Sequence, residues 1–246
     1  MIKLAWLDPD DPDWFPPVEA AIREPDGLLA AGGDLSPQRL LAAYRRGIFP
    51  WFSPGQPILW WSPSERAVFD THAMHVPRRL RRWLRRCDWE LRIDTAFDRV
   101  IDACASTGSR ADGTWITPEM LDAYRSLHRL GHAHSFEAWD GDELAGGMYG
   151  VAVGRLFCGE SMYSARDNGS KVALLSAARW LSGHGFPLLD AQIVSPHLAT
   201  LGMRVLPRAN YTGEAARLAR QRGIEERWTH GPAPLRAHEL GPPDRP

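Results

Sequence analysis

The segment from Gly131 to Gln192 constrains the fold of this chain more than any other part of it. It begins with three apolar, alternating runs that follow one another closely and are joined by the short turns DGDE and VGR. The runs cover residues 132–139, 143–153 and 155–164. Tight turns between such runs predict antiparallel hairpins. A helix from about Asn168 to Gly183 and the strand Leu188–Gln192 follow, so the predicted core is three antiparallel strands, a crossover helix and one further strand.

Polar side chains interrupt these apolar strands, at Glu137, Glu160, Ser161, Asp190 and Gln192. Asp190 and Gln192 are two residues apart on one strand, so we expect both side chains on one face. Glu160 and Ser161 are adjacent and are expected to face opposite ways. The pattern indicates a site built on a rigid sheet. The structural alternatives are a buried, hydrogen-bonded strand end for Asp190 and an ion pair with an arginine for Glu160.

The composition is that of a soluble globular chain, with 44% apolar and 24% charged residues and a net charge of −1. Any affinity for nucleic acid therefore requires a local patch of charge. The N-terminus, MIKLAWLDPDDPDW, lacks the pattern of a signal or transit peptide, and no apolar run reaches the roughly 20 residues that span a bilayer. The cysteines, Cys87, Cys104 and Cys158, have no metal-like spacing. A reducing, cytoplasmic location is expected.

Residues 1–62 are rich in proline and tryptophan and predict a small N-terminal domain. One helix interrupts them, with Ser36 as its N-cap, Pro37 in its first turn and Gly47 as its stop. The segment GIFPWFSPGQPILWWSP has too many prolines for a helix or a central strand. It predicts an ordered aromatic loop, and a hydrophobic plug between two domains is the alternative.

Residues 63–246 predict a second domain that mixes helices with strands and ends in a variable tail, loosely packed from about Arg220. Strands are expected at ERAVFD, WELRID and Met203–Pro207, and helices at Val76–Arg86, Thr95–Ala105, Thr117–Gly131 and Ser195–Gly202. The fold class is therefore α/β in the α+β sense, with a mixed, largely antiparallel sheet.

The element order matches the core of the Gcn5-related N-acyltransferase fold, which is an analogy of fold alone. That fold usually holds the pyrophosphate of an acyl-CoA at the N-terminus of a helix. Here the turn from Arg166 to Lys171 has a lysine where a very small residue is expected. This turn suits a single phosphate better than a coenzyme A.

Several strings occur together: GLLAAGGDLSPQRLLAAYRRGIFPWFSPGQPILWWSP, GTWIT, GHAHSFE, GGMYGVAVGRLFCGESMYS, and LLDAQ followed by HLATLG. In combination, from about Phe15 to Tyr211, they closely resemble the leucyl/phenylalanyl-tRNA–protein transferase family. The resemblance implies transfer of a leucyl or phenylalanyl group, sometimes methionyl, from charged tRNA to the α-amine of a protein that begins with Arg or Lys. Such transfer marks the protein for degradation in bacteria. The resemblance implies no metal and no coenzyme.

The resemblance also implies roles for particular residues. Asp190 and Gln192 match the proposed catalytic pair of the family, and Glu160 matches a residue near the aminoacyl site. The chemistry is compatible, because an aminoacyl ester is already activated and needs a positioned neutral amine, a stabilised oxyanion and a protonated leaving hydroxyl. The expected aminoacyl- and adenosine-binding residues are Trp51, Trp115, Tyr124, Met148, Phe157, Met162 and Ser161. Methionines suit a pocket for Leu, Met and Phe that excludes β-branched side chains, although the residues alone favour core positions for them.

Six arginines in nine residues form the strongest patch of charge: Arg78, Arg79, Arg81, Arg82, Arg85 and Arg86. On a helix they cover a broad arc, with Leu80 and Leu84 anchoring the opposite face. They predict phosphate contacts with a tRNA acceptor stem without base readout, and Lys171, the sole internal lysine, is grouped with them. A solvated helix face is the alternative.

Two other functions stay open. An acyl-CoA-dependent N-acyltransferase would show saturable binding of acetyl-CoA. A tRNA-binding module without chemistry would need neither the Asp190 and Gln192 face nor the methionine strands. A metal site at His132 and His134 lacks a third ligand of suitable spacing, and Cys158 lies in an apolar strand that favours a core position over a nucleophile.

Overall fold

The computed structural model describes residues 4–106, 115–224, 228–231 and 235–241, so Gly113 and Thr114 of the GTWIT string fall outside it. A four-stranded sheet has the order β1-β2-β4-β3, with β1 (Ala5–Leu7), β2 (Leu28–Gly32), β3 (Phe49–Pro50) and β4 (Leu59–Trp61). An eight-stranded sheet has the order β11-β5-β10-β9-β8-β7-β6-β12. Its strands are β5 (Glu65–Asp70), β6 (Glu90–Ile93), β7 (Ala133–Asp140), β8 (Glu143–Val153), β9 (Leu156–Ser164), β10 (Leu188–Gln192), β11 (Arg204–Pro207) and β12 (Leu235–Arg236).

The α-helices of the described residues cover the two sheets and fill the connections between them. They are α1 (Pro37–Arg45), α2 (Arg78–Leu84), α3 (Phe97–Ser106), α4 (Pro118–Arg129), α5 (Gly169–Gly183), α6 (Pro196–Ala199) and α7 (Arg208–Ala219). Short 3₁₀ helices lie at Val18–Ala20 and Ala237–Leu240. None of these helices has the length and apolar content that crossing a bilayer requires. Helices on a mixed sheet confirm the α+β class.

The predicted core order is confirmed. Strands β7, β8 and β9 are antiparallel neighbours, α5 crosses over them, and β10 returns parallel to β9 with Asp190 beside Cys158. Helix α5 begins in close contact with the sheet, because a Cβ atom on Gly146 would lie 2.4 Å from the backbone of Gly169. Glycine at both positions lets the backbones of helix and strand meet.

Two irregularities occur where β9 and β10 run side by side. The register of β8 with β9 shifts so that Glu160 is an extra residue between the paired Gly159 and Ser161. The register of β5 with β10 shifts between Asp190 and Gln192, and Gln192 has a φ of 61°. Bulges of this kind re-aim side chains and are frequent beside active sites. The regular alternation that predicted Asp190 and Gln192 on one face therefore does not apply here.

The smaller sheet and α1 pack directly on the larger sheet. Ser36 caps α1 by accepting a hydrogen bond from the backbone nitrogen of Arg39 over 3.3 Å. Tyr44 of α1 and Trp60 of β4 are wholly buried in the same apolar cluster as Tyr124 of α4. The core is therefore continuous between the sheets. The proposed division of the chain at residue 62 falls between β4 and β5.

The tail was predicted to be loosely packed, and this was wrong for its described part. Trp228 is only 2% exposed and stacks between His134, at a ring distance of 3.6 Å, and Trp180, at 4.1 Å. Strand β12 pairs with β6, with Leu235 opposite Leu91. One buried tryptophan supplies a large apolar contact that the charged, proline-rich composition of the tail obscures.

Glu137, one of the polar strand residues, belongs to the scaffold. It is wholly buried and accepts hydrogen bonds from the backbone nitrogens of Thr95 (2.9 Å) and Ala96 (2.8 Å), just before α3 begins. The Ser135 hydroxyl and the Trp139 indole also donate to it, at 2.9 and 3.1 Å. The carboxylate thus satisfies the free N–H groups at a helix N-terminus.

Candidate active site

A cleft of about 360 Å³ lies beside the irregular ends of β9 and β10. Its walls come from the aromatic loop, the segment before α4, β9 and the chain that follows β10. It is lined by Phe49, Pro50, Trp51, Trp115, Glu160, Ala191, Gln192, Ile193 and Ser195. The structure therefore brings together four predicted site residues that are distant in sequence, namely Trp51, Trp115, Glu160 and Gln192. Trp51 is 40% exposed, whereas Glu160 and Gln192 are both 8% exposed.

Glu160 is held at the base of this cleft by hydrogen bonds to both of its carboxyl oxygens. Its Oε2 accepts from the Tyr124 hydroxyl over 2.7 Å, and its Oε1 accepts from Gln192 Nε2 over 2.8 Å. The Tyr44 hydroxyl lies 2.7 Å from that of Tyr124 and extends the chain of hydrogen bonds. Burial raises the pKa of Glu160 from 4.5 to about 7, against the opposing effect of the tyrosine hydroxyls. A carboxyl of this pKa can both accept and release a proton near neutrality.

The side-chain amide of Gln192 is fixed by Glu160. Because Nε2 donates to the carboxyl group, the amide oxygen of Gln192 is turned away from it. That oxygen accepts no hydrogen bond from the described residues, and Gln192 lines the cleft. It is therefore available to accept a hydrogen bond from an amine.

Asp190 lies behind the cleft and does not line it. It is wholly buried and receives two hydrogen bonds from Arg66, from Nε at 2.9 Å and from Nη2 at 2.7 Å. The Tyr211 hydroxyl donates to it over 2.7 Å, and the backbone nitrogen of Gln192 over 2.9 Å. Burial alone would lower the pKa of Arg66. The attraction of the Asp190 carboxylate and its hydrogen bonds oppose this effect, and the pKa of Arg66 is raised above its ordinary value. The structure thus connects Asp190 to the cleft through Gln192, and its catalytic role stays a prediction.

Tyr124 is also behind the cleft, although it was predicted to contact the terminal adenosine. Its ring is wholly buried and lies edge-on to Tyr149 at 5.4 Å, while its hydroxyl holds Glu160. Trp51 packs against Trp61 with ring centroids 5.7 Å apart. Trp51 and Trp115 are the predicted aromatic residues that line the cleft.

The residues predicted to contact the aminoacyl side chain lie next to one another on β8 and β9. Met148 faces Met162 across the two strands, and the Met148 methyl group lies 3.4 Å from the Cβ position of Gly159. Met148 is 3% exposed, and Phe157 is wholly buried against Phe136 and Trp228. The remaining predicted residue, Ser161, pairs with Tyr149 of β8. None of the four lines the cleft, and a pocket built from them stays a prediction.

The basic segment forms α2, which is shorter than the predicted Val76–Arg86, so that Arg85 and Arg86 follow its last residue, Leu84. Leu80 and Leu84 are buried at 5% and 0% exposure and anchor the helix. Five of the six arginines are exposed, namely Arg78, Arg79, Arg82, Arg85 and Arg86. Arg81 is half-buried and donates to the Val76 carbonyl. A cleft of about 510 Å³ between α2 and the start of α5 is lined by Arg79 and Lys171, and one of about 620 Å³ on α2 by Arg79, Arg82 and Arg86.

Sequence reasoning missed Tyr44, Arg66 and Tyr211, which hold Glu160 and Asp190 from behind. Arg66 carried a signal, because it is a charged residue inside the apolar strand ERAVFD. A charged side chain within a buried strand needs a partner of opposite charge. Arg66 is 1% exposed in the structure, and the sequence did not indicate which carboxylate pairs with it. Tyr44 and Tyr211 gave no such signal, since tyrosine is common in cores.

The weaker candidates do not form reactive groups. Among the described residues, no cluster of three or more His, Cys, Asp or Glu side chains is arranged to hold a metal ion. Burial raises the pKa of Cys158 well above its ordinary value, so its thiol is a poor nucleophile. His134 is hydrogen-bonded to Asp94 over 2.7 Å and stacked on Trp228.

Known proteins match most of the chain. Residues 68–216 match the family described as leucyl/phenylalanyl-tRNA protein transferase, and residues 33–64 match the N-terminal domain of that family. A relative from Xanthomonas euvesicatoria pv. vesicatoria (strain 85-10), named leucyl/phenylalanyl-tRNA–protein transferase, is 59% identical over 204 residues, which is 82% of each chain. A relative of the same name from Xylella fastidiosa (strain M12) is 55% identical over 216 residues, covering 87% of this chain and 88% of the relative.

A likeness to the solved structure of L-PGS from Bacillus licheniformis has a TM-score of 0.36 at 11% identity, covering 67% of this chain and 55% of that chain. The extent and identity of the sequence matches are decisive and confirm the resemblance found in the motifs. The chain belongs to the leucyl/phenylalanyl-tRNA–protein transferase family.

Proposed function

We propose that this protein transfers a leucyl or phenylalanyl group, and also methionyl, from charged tRNA to the α-amine of proteins that begin with Arg or Lys. The transfer marks those proteins for degradation, and the reaction takes place in the cytoplasm. The observation that carries the proposal is the pairing of Glu160 with Gln192 in the cleft of a chain from this family. A carboxyl group with a pKa of about 7 next to a free amide oxygen suits an amine nucleophile.

The chemistry requires one bond to form and one to break. The neutral α-amine of the acceptor protein attacks the ester carbonyl carbon, a C–N bond forms, and the bond from that carbon to the 3′ oxygen of the tRNA breaks. In this proposal the amide oxygen of Gln192 accepts a hydrogen bond from the attacking amine and orients its lone pair. Glu160 takes a proton from the amine and returns it to the departing 3′ hydroxyl, so that the protons balance.

The substrate contacts follow from the same arrangement. Trp51 and Trp115 form the aromatic walls of the cleft, where a terminal adenine would stack. Met148, Phe157, Met162 and Ser161 are the proposed contacts of the aminoacyl side chain. Since these residues do not line the cleft, the flexible methionine side chains would rotate to open that pocket.

The exposed arginines of α2 are the proposed contacts of the acceptor-stem phosphates, together with Lys171. No metal or cofactor enters the proposed reaction. Asp190 completes the proposed catalytic group by supporting Gln192 from behind.

The direct test is incubation with labelled leucyl-tRNA and a short peptide that begins with Arg. Label on the peptide supports the proposal, and no label with a correctly folded protein overturns it. The matched control is the same peptide with its α-amine acetylated, which should stay unlabelled because the nucleophile is blocked. Saturable binding of acetyl-CoA, with acetylation of the free peptide, would favour the acyl-CoA alternative.

A further inference from the structure

Arg66 occupies the centre of a group of contacts that no step of the proposed reaction uses directly. It is 1% exposed, and its guanidinium carbon lies over the ring of Phe49, at 4.6 Å from the centroid, and over the ring of Tyr211, at 4.5 Å. Two of its nitrogens hold the carboxylate of Asp190, and Nη1 donates to the carbonyl of Gly47 over 3.2 Å. A guanidinium that contacts two aromatic rings and is hydrogen-bonded through three of its nitrogens has a single well-defined position.

Through these contacts Arg66 joins two walls of the cleft. Gly47 and Phe49 belong to the segment that forms the aromatic wall, in which Phe49 lines the cleft. Asp190 belongs to the strand that presents Gln192. The distance between the aromatic wall and Gln192 is thus set through one buried side chain.

Asp190 in turn fixes the backbone of Gln192. Its Oδ1 accepts from the Gln192 backbone nitrogen, two residues along the chain. Gln192 is one of three non-glycine residues with a positive φ in the described parts of the chain, with Asp94 and Asn168. This conformation is costly for a residue with a side chain and persists where neighbouring contacts hold it. An aspartate that bonds to the nitrogen two residues on stabilises such a turn.

All the acceptor positions of the Asp190 carboxylate are taken by this arrangement. Arg66 provides two hydrogen bonds, Tyr211 a third and the Gln192 backbone a fourth, which matches the roughly four lone-pair sites of a carboxylate. Asp190 has no site left for a substrate, so it acts by holding Gln192 in place.

We propose that Arg66, assisted by Tyr211, is a positioning residue for the transfer reaction: through Asp190 it holds Gln192 in the left-handed conformation that places its amide between Glu160 and the incoming amine. This inference rests on the proposed function for its kinetic part. Its structural part, the placement of the Gln192 amide, is independent of any activity.

The kinetic test is a double-mutant cycle between Arg66→Lys and Gln192→Ala, measured by single-turnover transfer with saturating leucyl-tRNA. Lysine keeps the charge but loses the double hydrogen bond and the stacking. A displaced catalytic amide should lower the rate by about 10-fold or more, with unchanged binding of tRNA. If Arg66 acts through Gln192, the same substitution should have no further effect in the Gln192→Ala background. An equal factor in both backgrounds overturns the proposal.

Two further variants separate positioning from stability. Arg39→Lys is the matched control, because Arg39 is also a wholly buried arginine, paired with Asp34 away from the cleft. It should lower the melting temperature without lowering the rate per folded molecule. Tyr211→Phe removes one hydrogen bond to Asp190 and keeps the ring, so it replaces Arg66→Lys if that variant does not fold.

The activity-independent test follows the side-chain amide resonances of Gln192 by NMR, assigned through their loss in Gln192→Ala. Arg66→Lys and Tyr211→Phe should shift them, whereas Arg39→Lys should not. Unmoved resonances in both site variants overturn the placement of the amide. A wild-type protein that transfers no leucine would overturn the proposed function instead, and the two failures are therefore distinguishable.

Discussion

Glu160 and Gln192 lie on neighbouring parallel strands, each beside a shift in register, and are joined by a hydrogen bond of 2.8 Å from the amide to the carboxyl group. A bulge costs ladder hydrogen bonds, and here the cost is offset by side-chain contacts that place two reactive groups at one cleft.

Glu160 should make the stability of the protein depend on pH. Its pKa is about 7 in the folded chain, whereas the ordinary value, which applies to the unfolded chain, is 4.5. Between pH 4.5 and pH 7 the folded chain therefore keeps a proton on Glu160 that the unfolded chain has released. The contribution of Glu160 to the free energy of unfolding is therefore fully present below pH 4.5 and is lost as the pH rises through about 7, by roughly 3 kcal/mol in total. Glu160→Gln should lack this contribution when urea unfolding is compared between pH 5 and pH 8. Parallel pH dependences for the two proteins would contradict the prediction.

Asp190→Asn should damage both stability and transfer. Asparagine has only one acceptor oxygen and no charge, so the buried Arg66 loses its counter-ion, at a cost of about 3–5 kcal/mol in unfolding free energy. Transfer by the folded variant should fall by about 10²-fold, while tRNA binding is preserved. Circular dichroism and urea unfolding establish the folded fraction before single-turnover assays. Near-normal transfer in the folded variant would remove Asp190 from the proposed catalytic group.

Replacing Arg79, Arg82 and Arg86 with alanine should weaken tRNA binding and flatten its dependence on salt, by about one unit of slope for each lost phosphate contact. Transfer at saturating tRNA should change little. The matched control replaces Arg129, Arg217 and Arg220, which are also exposed and lie outside the basic segment Arg78–Arg86. Equal effects of the two triple variants on the salt slope would mean that net charge alone is responsible.

Met148→Val should change the ranking of leucyl, phenylalanyl and methionyl donors. Valine is branched and stiff, and a misfit of methylene size is worth about 1–3 kcal/mol. Competition between the three charged tRNAs gives the ranking directly. Met203→Val is the control, because Met203 is a partly buried methionine that packs against the same core cluster and lies outside β8 and β9. An unchanged ranking would mean that Met148 is an ordinary core residue and does not contact the aminoacyl group.

Trp228→Ala should destabilise the protein by about 3–5 kcal/mol, the usual cost of removing a large buried side chain. The ring stacks on His134 and on Trp180, so its loss leaves a cavity in the core cluster that contains them. Thermal or urea unfolding measures the change. Trp14→Ala, at a residue that is 48% exposed, should cost far less. Similar small effects for both tryptophans would show that the tail contributes little.

Much of the core could be predicted from the sequence, because it depends on local patterns. The hairpin turns and alternating runs indicated β7, β8 and β9, and the caps indicated α1 and α4. The irregular registers could not be predicted, because they depend on partners that are distant in sequence. For the same reason Asp190 was expected beside Gln192 on a flat face, whereas Arg66 holds it behind that face.

Motifs located the cleft more reliably than they located the roles within it. Trp51, Trp115, Glu160 and Gln192 were all expected near the substrate and all line the cleft. Tyr124 was expected to stack on a base, but it is buried and supports Glu160. A sequence motif indicates that a residue belongs to the site. The side-chain contacts in the structure show whether that residue faces the cleft or supports another residue from behind.

The ion pair between Arg66 and Asp190 also has a consequence for biosynthesis, because its partners are 124 residues apart in the chain. The ribosome makes the arginine first, and at about 5–20 residues per second the aspartate follows several seconds later. Within the described parts of the chain, β5 pairs with β10 and β11 in the larger sheet, and both of these strands are synthesised more than 100 residues after it. The nascent chain therefore cannot form the Arg66–Asp190 pair until most of it has been translated. Tyr211, which is synthesised later still, adds the hydrogen bond from its hydroxyl to the Asp190 carboxylate.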